Sequence, residues 1–443
     1  MTKNIKFEAN IAEKMGELGY DERIIGLFLR YYEKLSSGDR GIISETQILP
    51  VEYGSVEKFC NIPKVSATTC KTAIVKLNGG LGTSMGMDFP KSFVEVREGK
   101  RFIDLALMQQ ERNSDNGQVA QPLIFMNSDA TFDMTDKFIA ENPQMKHGNI
   151  APAFMQHSFP KILKDTLCLA QFPENPACEF NPAGHGDVYM ALFLSGILGE
   201  LLKENFQFAF ISNIDNTGAV FDPSIADYMA KNGISFLMEV CRRGEMDKKG
   251  GHIAKTKDGR YILREKAQVC DSEITEFENI DKYSYFNTNS IWIDLRKLSD
   301  FLEKNAGIIE LPFIANEKTL DPNNKNTPKV YQIEQAMGAA ISLFDNARIL
   351  EVEKERFFPV KTTNDLFLLR SDRYYLDGGK VKSFDDNKSP CNIVLNSEFY
   401  GNLADFEKRL KNGAPKIRKC TKLIVKSDVF FDKNMEFTGE AQL

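Results

Sequence analysis

The feature that constrains this chain most is a short apolar strand that runs directly into a glycine-rich turn. Residues 71–92 read KTAIVKLNGGLGTSMGMDFPKS, with glycines at positions 79, 80, 82 and 86. Glycines let backbone N–H groups approach a phosphate closely and form an anion-binding concavity. A lone cation, Lys91, follows nine residues after Gly82. The segment therefore predicts a phosphate-binding loop at the end of a buried strand.

Two common phosphate-binding motifs do not fit this loop. A dinucleotide fingerprint requires G-x-G-x-x-G, but Gly80, Gly82 and Gly86 are spaced with one residue too many. A P-loop requires G-K-[ST] at the start of a helix, whereas Pro90 separates Lys91 from the glycines. A plain surface turn is the remaining alternative, and it does not explain four glycines after a buried strand.

The chain around this loop alternates short apolar runs with helical patterns. Apolar runs at 73–75, 123–126 and 208–211 each end in a small or polar turn, and the spacing predicts helices over 187–203 and 331–344. This alternation predicts an α/β fold whose mostly parallel sheet is covered on both faces. A helical pattern over 8–36 precedes it and stops at SSGDRG, residues 36–41.

The pattern changes again near the C-terminus. From Thr421 onward we predict very short strands at 423–425, 429–430 and 435–437, spaced by about six residues as in the hexapeptide coils of a β-helix. A set of antiparallel hairpins is the alternative. The sequence therefore predicts an N-terminal helical region (1–41), a central α/β domain (42–375) and a C-terminal domain (376–443).

Composition excludes several functional classes. The 443 residues are 42% hydrophobic and 27% charged, which rules out a disordered or low-complexity chain. The net charge of −6 disfavours a nucleic-acid partner, so the basic run at 408–422 is interpreted as a solvated face. The most apolar stretch, 188–199, is too short to span a membrane, and no signal core is present at the start. The eight cysteines include no C-x-x-C pair, which favours reduced thiols in a cytoplasmic protein.

The loop and several later segments resemble one enzyme family. L-N-G-G-L-G-T followed by P-K-S is similar to the signature of the eukaryotic-type UTP–glucose-1-phosphate uridylyltransferases. The resemblance continues in the family's order through Asn127–Ser128, Gln156, PAGHGD (182–187), SNIDN (212–216), MEV (238–240), KGG (249–251), FNTN (286–289) and FPVKTT (358–363). It implies a Rossmann-like nucleotidyltransferase core with a mixed, mostly parallel sheet and a short C-terminal left-handed β-helix.

Three charged residues are expected to carry the chemistry. Asp215 follows the strand at 208–212, so its carboxylate lies at the edge where α/β folds place ligands, and one carboxylate plus phosphate oxygens suits Mg²⁺. An Asx turn is the structural alternative for Asp215. By resemblance Asp215 is the metal ligand, Lys91 holds the phosphates that leave as pyrophosphate, and Lys361 bridges the α-phosphate and the incoming sugar phosphate.

The resemblance also assigns binding residues. The nucleotide is expected at Leu77, Asn78, Gly79, Gly80, Gln156 and Gly184, and the sugar or its phosphate at His185, Asn213, Gly251, Glu265, Asn287 and Asn289. A glutamine amide can both donate and accept hydrogen bonds, which matches the edge of uracil. Polar side chains that bond hydroxyls are what a hexose site requires.

The expected reaction converts UTP and glucose 1-phosphate into UDP-glucose and pyrophosphate. Two alternatives stay open: a pyrophosphorylase acting on other UDP-sugars or on N-acetylhexosamine 1-phosphate, and a nucleotide-sugar sensor without catalysis. The loop sequence argues against the first, and the joint presence of Lys91, Asp215 and Lys361 argues against the second. The chain stops at Leu443, earlier than typical relatives, so a short β-helix and a monomer are expected.

Overall fold

The computed structural model describes residues 2–115, 121–384 and 391–443. The chain divides into two compact units, each assembled from three separate segments. The first unit comprises Met1–Lys64, Phe154–Phe210 and Ile225–Val352, and the second comprises Val65–Ala153, Ile211–Ser224 and Glu353–Leu443. The domain bounds expected from the sequence, 1–41, 42–375 and 376–443, stay a prediction.

Helices and strands alternate along the described residues. The α-helices are α1 (Thr2–Glu17), α2 (Glu22–Ser36), α3 (Phe102–Asp115), α4 (Asp129–Glu141), α5 (Val188–Leu194), α6 (Ile197–Lys203), α7 (Pro223–Asn232), α8 (Ile274–Phe277), α9 (Leu295–Lys304), α10 (Thr363–Arg370), α11 (Ser397–Tyr400) and α12 (Leu403–Arg409). The strands are β1 (Ile48–Pro50), β2 (Glu57–Lys58), β3 (Thr72–Asn78), β4 (Glu95–Arg97), β5 (Lys100–Arg101), β6 (Leu123–Asn127), β7 (Ala153–Met155), β8 (Ser158–Pro160), β9 (Ile162–Leu163), β10 (Phe180–Pro182), β11 (Phe208–Asn213), β12 (Phe236–Arg242), β13 (His252–Thr256), β14 (Tyr261–Arg264), β15 (Tyr285–Asp294), β16 (Phe313–Thr319), β17 (Lys329–Gln335), β18 (Ala347–Glu351), β19 (Tyr374–Asp377), β20 (Lys380–Ser383), β21 (Asn392–Leu395), β22 (Cys420–Val425) and β23 (Gly439–Gln442).

The first unit is built on a mixed sheet. Strand β12 pairs in parallel with β18 and antiparallel with β15, and β18 pairs in parallel with β2. The buried side of α2 packs within the same unit, where the ring of Phe28 lies 5.2 Å from that of Phe159. The hydroxyl of Tyr31 donates to the Leu311 carbonyl at 2.9 Å and accepts from the Leu311 N–H at 3.0 Å. The helical pattern at 8–36 is thus confirmed, as two helices separated by a short turn.

One predicted helix of this unit is wrong. Residues 329–335 form strand β17, which pairs antiparallel with β16, and only Met337–Ser342 is helical, as a 3₁₀ turn. Tyr331, Ile333 and Gln335 are buried at every second position, which is the period of a strand. The predicted helix at 187–203 forms, but Gly196 at φ 81° divides it into α5 and α6.

The second unit holds the glycine-rich loop. Strand β3 is buried along its whole length and pairs in parallel with β6, with Asn78 opposite Asn127. The apolar runs at 73–75 and 123–126 therefore are strands, as predicted. The run at 208–211 lies in β11, also as predicted.

The C-terminal residues of this unit stack in parallel. Strand β21 pairs with β22, and β22 with β23, all in parallel, so the antiparallel-hairpin alternative is excluded. The predicted strand at 423–425 lies in β22, whereas 429–430 and 435–437 belong to no strand, apart from one parallel bridge between Lys416 and Glu436. Among the described helices of the chain, none combines the length and apolarity that crossing a membrane would require.

Candidate active site

The glycine-rich loop lies where the parallel strands β3 and β6 end. The Lys91 N–H donates to the Gly80 carbonyl at 3.1 Å, and the Ser128 hydroxyl donates to the Gly79 carbonyl at 2.8 Å. These bonds fix the loop from both sides. A Cβ placed on Gly80 would meet nothing within 4 Å, so the backbone at this point is open to a ligand. The geometry therefore suits close approach of a phosphate to backbone N–H groups.

The asparagine that ends β3 is held by its own unit. The Asn78 amide donates to Asn127 Oδ1 at 2.8 Å and to Thr135 Oγ1 at 2.9 Å, and all three side chains are buried. Leu77 is also buried, and its carbonyl accepts from the Ile214 N–H at 3.2 Å. Asn78 and Leu77 thus tie the loop to the neighbouring strand ends.

The loop brings its lone cation to the predicted metal ligand. Lys91 Nζ lies 2.5 Å from Asp215 Oδ2, and both side chains are largely shielded from solvent. The two residues are far apart in sequence, yet Ile214 bonds to the end of β3, which places Asp215 beside the loop. Asn213 precedes it at the end of β11 with its side chain partly exposed. Lys91, Asn213 and Asp215 therefore form one group.

The second oxygen of Asp215 has the character of a metal ligand. Asp215 Oδ1 is buried and has no hydrogen-bond partner. A buried carboxylate oxygen without a partner is unfavourable unless a cation completes it. In the part of the chain that the structure describes, no group of three His, Cys, Asp or Glu side chains could hold a metal alone. The site therefore fits Mg²⁺, which binds through one or two carboxylates and completes its shell with phosphates and water.

Lys361 belongs to the same group through its backbone. The Val360 N–H donates to the Asp215 carbonyl at 3.2 Å, and the Ser84 hydroxyl of the loop donates to the Lys361 carbonyl at 2.8 Å. The Lys361 N–H is held by Asp365 Oδ2 at 2.9 Å at the start of α10. The exposed Lys361 side chain is thus projected from a fixed backbone beside both the loop and Asp215.

A buried lysine that the sequence reasoning missed supports this group. Lys76, in the middle of β3, is only 3% exposed. Its Nζ donates to Ser212 Oγ at 2.9 Å and to the Ala219 carbonyl at 2.8 Å. These two partners flank the turn that carries Asp215. A lysine inside an otherwise apolar strand, KTAIVKLN, is the signal that could have identified it.

In the first unit, the predicted uracil ligands Gln156 and Gly184 lie in two segments locked together by a histidine. Asp187 is buried, and its carboxylate accepts from the His157 backbone N–H at 2.6 Å and contacts His157 Nδ1 at 2.9 Å. Burial by itself lowers the pKa of His157. The hydrogen bond to Asp187 and the charge of Asp187 together raise this pKa by more than burial lowers it, so the pKa of His157 lies above its usual value. The Gln156 amide makes no hydrogen bond with any described residue, which leaves it available to a ligand.

Gly184 cannot be replaced without rearrangement. Its φ is 87°, and a Cβ at this position would lie 2.4 Å from the Gln335 carbonyl oxygen. The backbone of Gly184 therefore needs glycine on both conformational and steric grounds. The Gln335 N–H also donates to the Ala183 carbonyl at 2.9 Å. Strand β17, which was predicted as a helix, is thus what supports this predicted nucleotide-binding segment.

His185 has a defined tautomer. Its Nδ1 accepts a hydrogen bond from the Met337 N–H at 3.0 Å. Burial lowers the pKa of His185 to about 4, so the ring is neutral near pH 7. A neutral ring whose Nδ1 accepts carries its proton on Nε2. His185 therefore offers one N–H donor, which suits a phosphate or hydroxyl oxygen.

The four predicted sugar residues gather in the first unit. A Cβ on Gly251 would meet Glu265 Oε2 at 2.4 Å, and the Asn287 N–H donates to the Gly251 carbonyl at 3.2 Å. The Asn287 amide donates to Asn289 Oδ1 at 2.7 Å. Asn289 has a φ of 55° where β15 bulges against β12. The bulge thus brings the side chains of Asn287 and Asn289 within hydrogen-bond distance of each other.

A second missed residue joins this cluster. Gly338 follows Met337, the partner of His185, and a Cβ on Gly338 would lie 3.0 Å from Asn287 Nδ2. It would also press on Leu263 at 2.8 Å and Met238 at 2.9 Å. The turn at 337–338 therefore links His185 to the predicted sugar residues. Because 331–344 was predicted to be a single helix, the sequence did not indicate that Gly338 lies in a turn beside Asn287.

Comparison with known proteins identifies the family. The profile of the UTP–glucose-1-phosphate uridylyltransferase family matches residues 25–438. This chain belongs to that family. UTP–glucose-1-phosphate uridylyltransferase 2 of Dictyostelium discoideum is 36% identical over 421 residues, covering 93% of this chain and 81% of the relative. UTP–glucose-1-phosphate uridylyltransferase of Saccharomyces cerevisiae is 35% identical, covering 88% of this chain and 77% of the relative.

Solved structures agree with the family membership. A mutant UDP-glucose pyrophosphorylase from Leishmania major in complex with UDP-glucose has a TM-score of 0.92 at 38% identity, covering 98% of this chain and 94% of that one. A UDP-glucose phosphorylase from Trypanosoma brucei has a TM-score of 0.89 at 38% identity, covering 99% and 95%. The resemblance read from the loop and the later motifs is confirmed.

Proposed function

We propose that this uridylyltransferase-family chain transfers the uridylyl group of UTP to glucose 1-phosphate, giving UDP-glucose and pyrophosphate. The observation that carries the proposal is the group formed by the glycine-rich loop, Lys91, Asp215 and the Lys361 backbone. The sugar phosphate is an anion near neutral pH and attacks the α-phosphorus in line, so no general base is needed. Pyrophosphate leaves from the opposite side, and the reaction is reversible.

The charged residues neutralise and position the phosphates. Mg²⁺, when bound, supplies positive charge to the phosphate oxygens, and Asp215 Oδ1 supports it as the protein ligand. Lys91, which contacts the other oxygen of Asp215, would hold the phosphates that leave. Phosphoryl and nucleotidyl transfer depend mainly on such positioning and charge neutralisation.

Lys361 is proposed to bridge the α-phosphate and the sugar phosphate. Its exposed side chain has no fixed partner among the described residues, which suits a group whose partner is the substrate. If this contact forms mainly in the transition state, Lys361→Ala lowers kcat more than it raises KM for UTP. An unchanged kcat with a raised KM would make Lys361 a ground-state binding residue instead.

The binding residues that the resemblance implies also suit their proposed ligands chemically. The unpartnered Gln156 amide and the backbone at Leu77, Gly80 and Gly184 suit the edge of uracil. The His185 Nε2–H suits an oxygen of the sugar or its phosphate. The remaining polar residues proposed for the sugar or its phosphate are Asn213, Gly251, Glu265, Asn287 and Asn289.

The experiment that tests the function measures pyrophosphate release in the presence of Mg²⁺. UTP is combined with glucose 1-phosphate, galactose 1-phosphate and N-acetylglucosamine 1-phosphate in parallel, and ATP and GTP replace UTP in a second series. We expect release with UTP and glucose 1-phosphate, and far less with either purine nucleotide because the pocket is proposed to fit one pyrimidine ring. Equal use of the three sugars would favour the broad-specificity alternative, and binding of UTP without release would favour a sensor.

The C-terminal residues are proposed to form a short left-handed β-helix. Support comes from the parallel bridges Asn412–Asp432 and Lys416–Glu436, whose partners are each 20 residues apart (432 − 412 and 436 − 416). A constant separation between parallel partners is typical of stacked coils. In the β21–β22 pair, however, Asn392 faces Lys422, 30 residues away (422 − 392), because α11 and α12 lie between the strands.

The cellular setting is also a proposal. All eight cysteines are unpaired in the structure, which fits the reducing cytoplasm. A partner nucleic acid is not expected, because the basic run at 408–422 is partly engaged. Arg409, for example, is buried and lies 2.7 Å from Asp428.

A further inference from the structure

A fully buried arginine, Arg264, ends strand β14 and lies directly before Glu265. Successive side chains of an extended segment point to opposite faces. Leu263 faces Gly338, where a Cβ would lie 2.8 Å from it. Glu265 continues the extended backbone, with φ −87° and ψ 155°, and its carboxylate lies against Gly251. Leu263 and Glu265 therefore face the predicted sugar residues, whereas Arg264 points to the opposite face.

On that opposite face, the guanidinium group of Arg264 joins two carboxylates from distant parts of the first unit. Its Nη1 donates to Glu45 Oε2 at 2.8 Å, and its Nη2 donates to Glu273 Oε2. Glu273 also accepts from the Glu45 backbone N–H at 2.9 Å, so the two partners bind each other as well. A guanidinium group donates in a fixed planar geometry, so these bonds fix direction as well as distance. Arg264 therefore fastens β14 to the segment that follows α2.

Glu45 is held from its other side by two further residues. Its Oε1 accepts from the Tyr283 hydroxyl at 2.6 Å and lies 2.7 Å from Lys282 Nζ. Burial by itself raises the pKa of Glu45. The hydrogen bonds from Lys282 and Tyr283, together with the charges of Lys282 and Arg264, lower this pKa by more than burial raises it. The Glu45 carboxylate is therefore ionised near neutral pH and keeps its ion pair with Arg264.

A second link joins the same N-terminal segment to Glu265. The Glu265 N–H donates to Gln268 Oε1 at 3.0 Å, and the Gln268 carbonyl accepts from the Ile43 N–H at 2.9 Å. Gln268 is buried, and Ile43 packs in an apolar cluster that includes Ala254 of β13. The segment 43–45 thus reaches Glu265 by two routes, through its backbone N–H and through the side chain that precedes it.

We propose that Arg264 is a positioning residue for the sugar, because it holds the segment that carries Glu265 and so keeps the Glu265 carboxylate against Gly251. This inference rests on the proposed function, in which Glu265 binds the sugar. A misplacement of about 1 Å can cost a site roughly 10²-fold in rate. Loss of Arg264 therefore weakens contacts with the sugar and leaves contacts with the nucleotide unchanged. Segment 43–45, which lies outside the signature motifs, contributes to sugar recognition in this way.

The test compares calorimetric binding of UDP-glucose with binding of UDP, which lacks the sugar. We expect Arg264→Met to bind UDP-glucose at least tenfold more weakly than wild type and UDP equally well. A double-mutant cycle makes the test specific. Because both changes act on one contact, Arg264→Met should add almost nothing to the loss that Glu265→Ala causes. Equal weakening of both ligands, unchanged binding of UDP-glucose, or full additivity would overturn the proposal.

The matched control is another buried arginine. Arg409 lies in the second unit and pairs with Asp428 at 2.7 Å, so Arg409→Met should bind both ligands as wild type. Removing one partner of a buried ion pair can unfold a protein, so circular dichroism checks that Arg264→Met is folded. If it is not, Arg264→Lys takes its place, since lysine keeps the charge but lacks the fork that reaches both carboxylates. A loss confined to UDP-glucose is expected, and any other pattern overturns the proposal.

Binding and turnover together separate this inference from the proposed function. If wild type binds UDP-glucose but releases no pyrophosphate from UTP, the proposed function fails, and the binding comparison still decides the role of Arg264. If pyrophosphate is released but Arg264→Met binds UDP-glucose as wild type does, the positioning role fails alone. A wild-type chain that does not bind UDP-glucose would overturn both.

Discussion

Asp215 combines two roles in one carboxylate: one oxygen pairs with Lys91, and the other is buried without a partner. Asp215→Asn keeps the shape but removes the charge that would hold Mg²⁺ and orient Lys91. We expect kcat to fall by about 10²–10³-fold, the size typical of losing one electrostatic contact to the transition state. Steady-state turnover at saturating Mg²⁺ measures this. Asp227→Asn, which breaks a surface ion pair with Lys231, should leave turnover unchanged; near wild-type activity of Asp215→Asn would refute the assignment.

We propose that Lys76 acts on the reaction through Asp215, as a positioning residue. Lys76→Met removes the donor to Ser212 and Ala219, so the turn between them loses its support. We expect kcat to fall about tenfold or more, with a higher Mg²⁺ concentration needed for half-maximal activity and little change in KM for UTP.

The matched control for Lys76 is another buried lysine. Lys161 is 4% exposed and donates to the Leu320 carbonyl at 3.0 Å in the first unit. Lys161→Met should lose a comparable stability, about 1–3 kcal/mol, because a buried acceptor is left unpaired. It should not alter the Mg²⁺ response. If both variants change the Mg²⁺ dependence equally, or neither does, Lys76 has only a structural role.

At the residue level, the glycine-rich loop and the strand end pointed to Lys91 and Asp215, which the fold places 2.5 Å apart. Lys361 was selected by the family resemblance, and the catalytic roles of all three residues stay predictions. Lys76 has a weaker local signal, a lysine inside an otherwise apolar strand, and Gly338 has none. Their roles depend on Ser212, Ala219 and Asn287, which lie far away in the chain and meet them only in the fold.

Among the elements, we expect the contact between the β7–β8 turn and the segment before α5 to depend on pH. The folded-state pKa of His157 is raised above its usual 6.5 by Asp187, with a smaller contribution from the charge of Asp21. A raised folded-state pKa stabilises the protein fully below pH 6.5, and this stabilisation is lost as the pH rises through the folded-state value.

We therefore predict that the difference in Tm between wild type and His157→Gln decreases as the pH rises. His157→Gln cannot gain the charge, so wild type should exceed it in Tm most at pH 6, and the difference should shrink by pH 9. Thermal unfolding of both chains at several pH values measures it. A difference that is constant or grows with pH would contradict the ionic contribution of His157.

The element that the sequence misassigned shows where local patterns stop being informative. If residues 331–344 were helical, five apolar residues would share one face: Ile333, Met337, Ala340, Ile341 and Phe344. In the fold, hydrogen bonds to β16 hold 329–335 extended, and these partners cannot be read from a single segment. By contrast, β3 and β6 were predictable because strands buried on both faces contain continuous apolar runs, here 73–75 and 123–126.

At the scale of the whole molecule, we propose a monomer. The apolar face of α2, which includes Ile24, Leu27 and Phe28, is fully buried in its own unit, so it is not available to a second copy. Light scattering of dilute protein should give a mass near 50.1 kDa. A mass of twice that value or more, stable on dilution, would show that the chain assembles through another surface.

The hydrogen-bond partner of Tyr31 is synthesised much later than Tyr31 itself. Its hydroxyl closes on the backbone of Leu311, 280 residues further along the chain. At about 5–20 residues per second, the ribosome completes that partner roughly 14–56 s after Tyr31 emerges. During this interval the apolar side of α2 has only part of its native surface, including Phe159, to cover it. We therefore expect the nascent chain to expose part of this side early, and a chain truncated before residue 311 to lack the hydrogen bonds that close Tyr31 and to be less stable than the full chain.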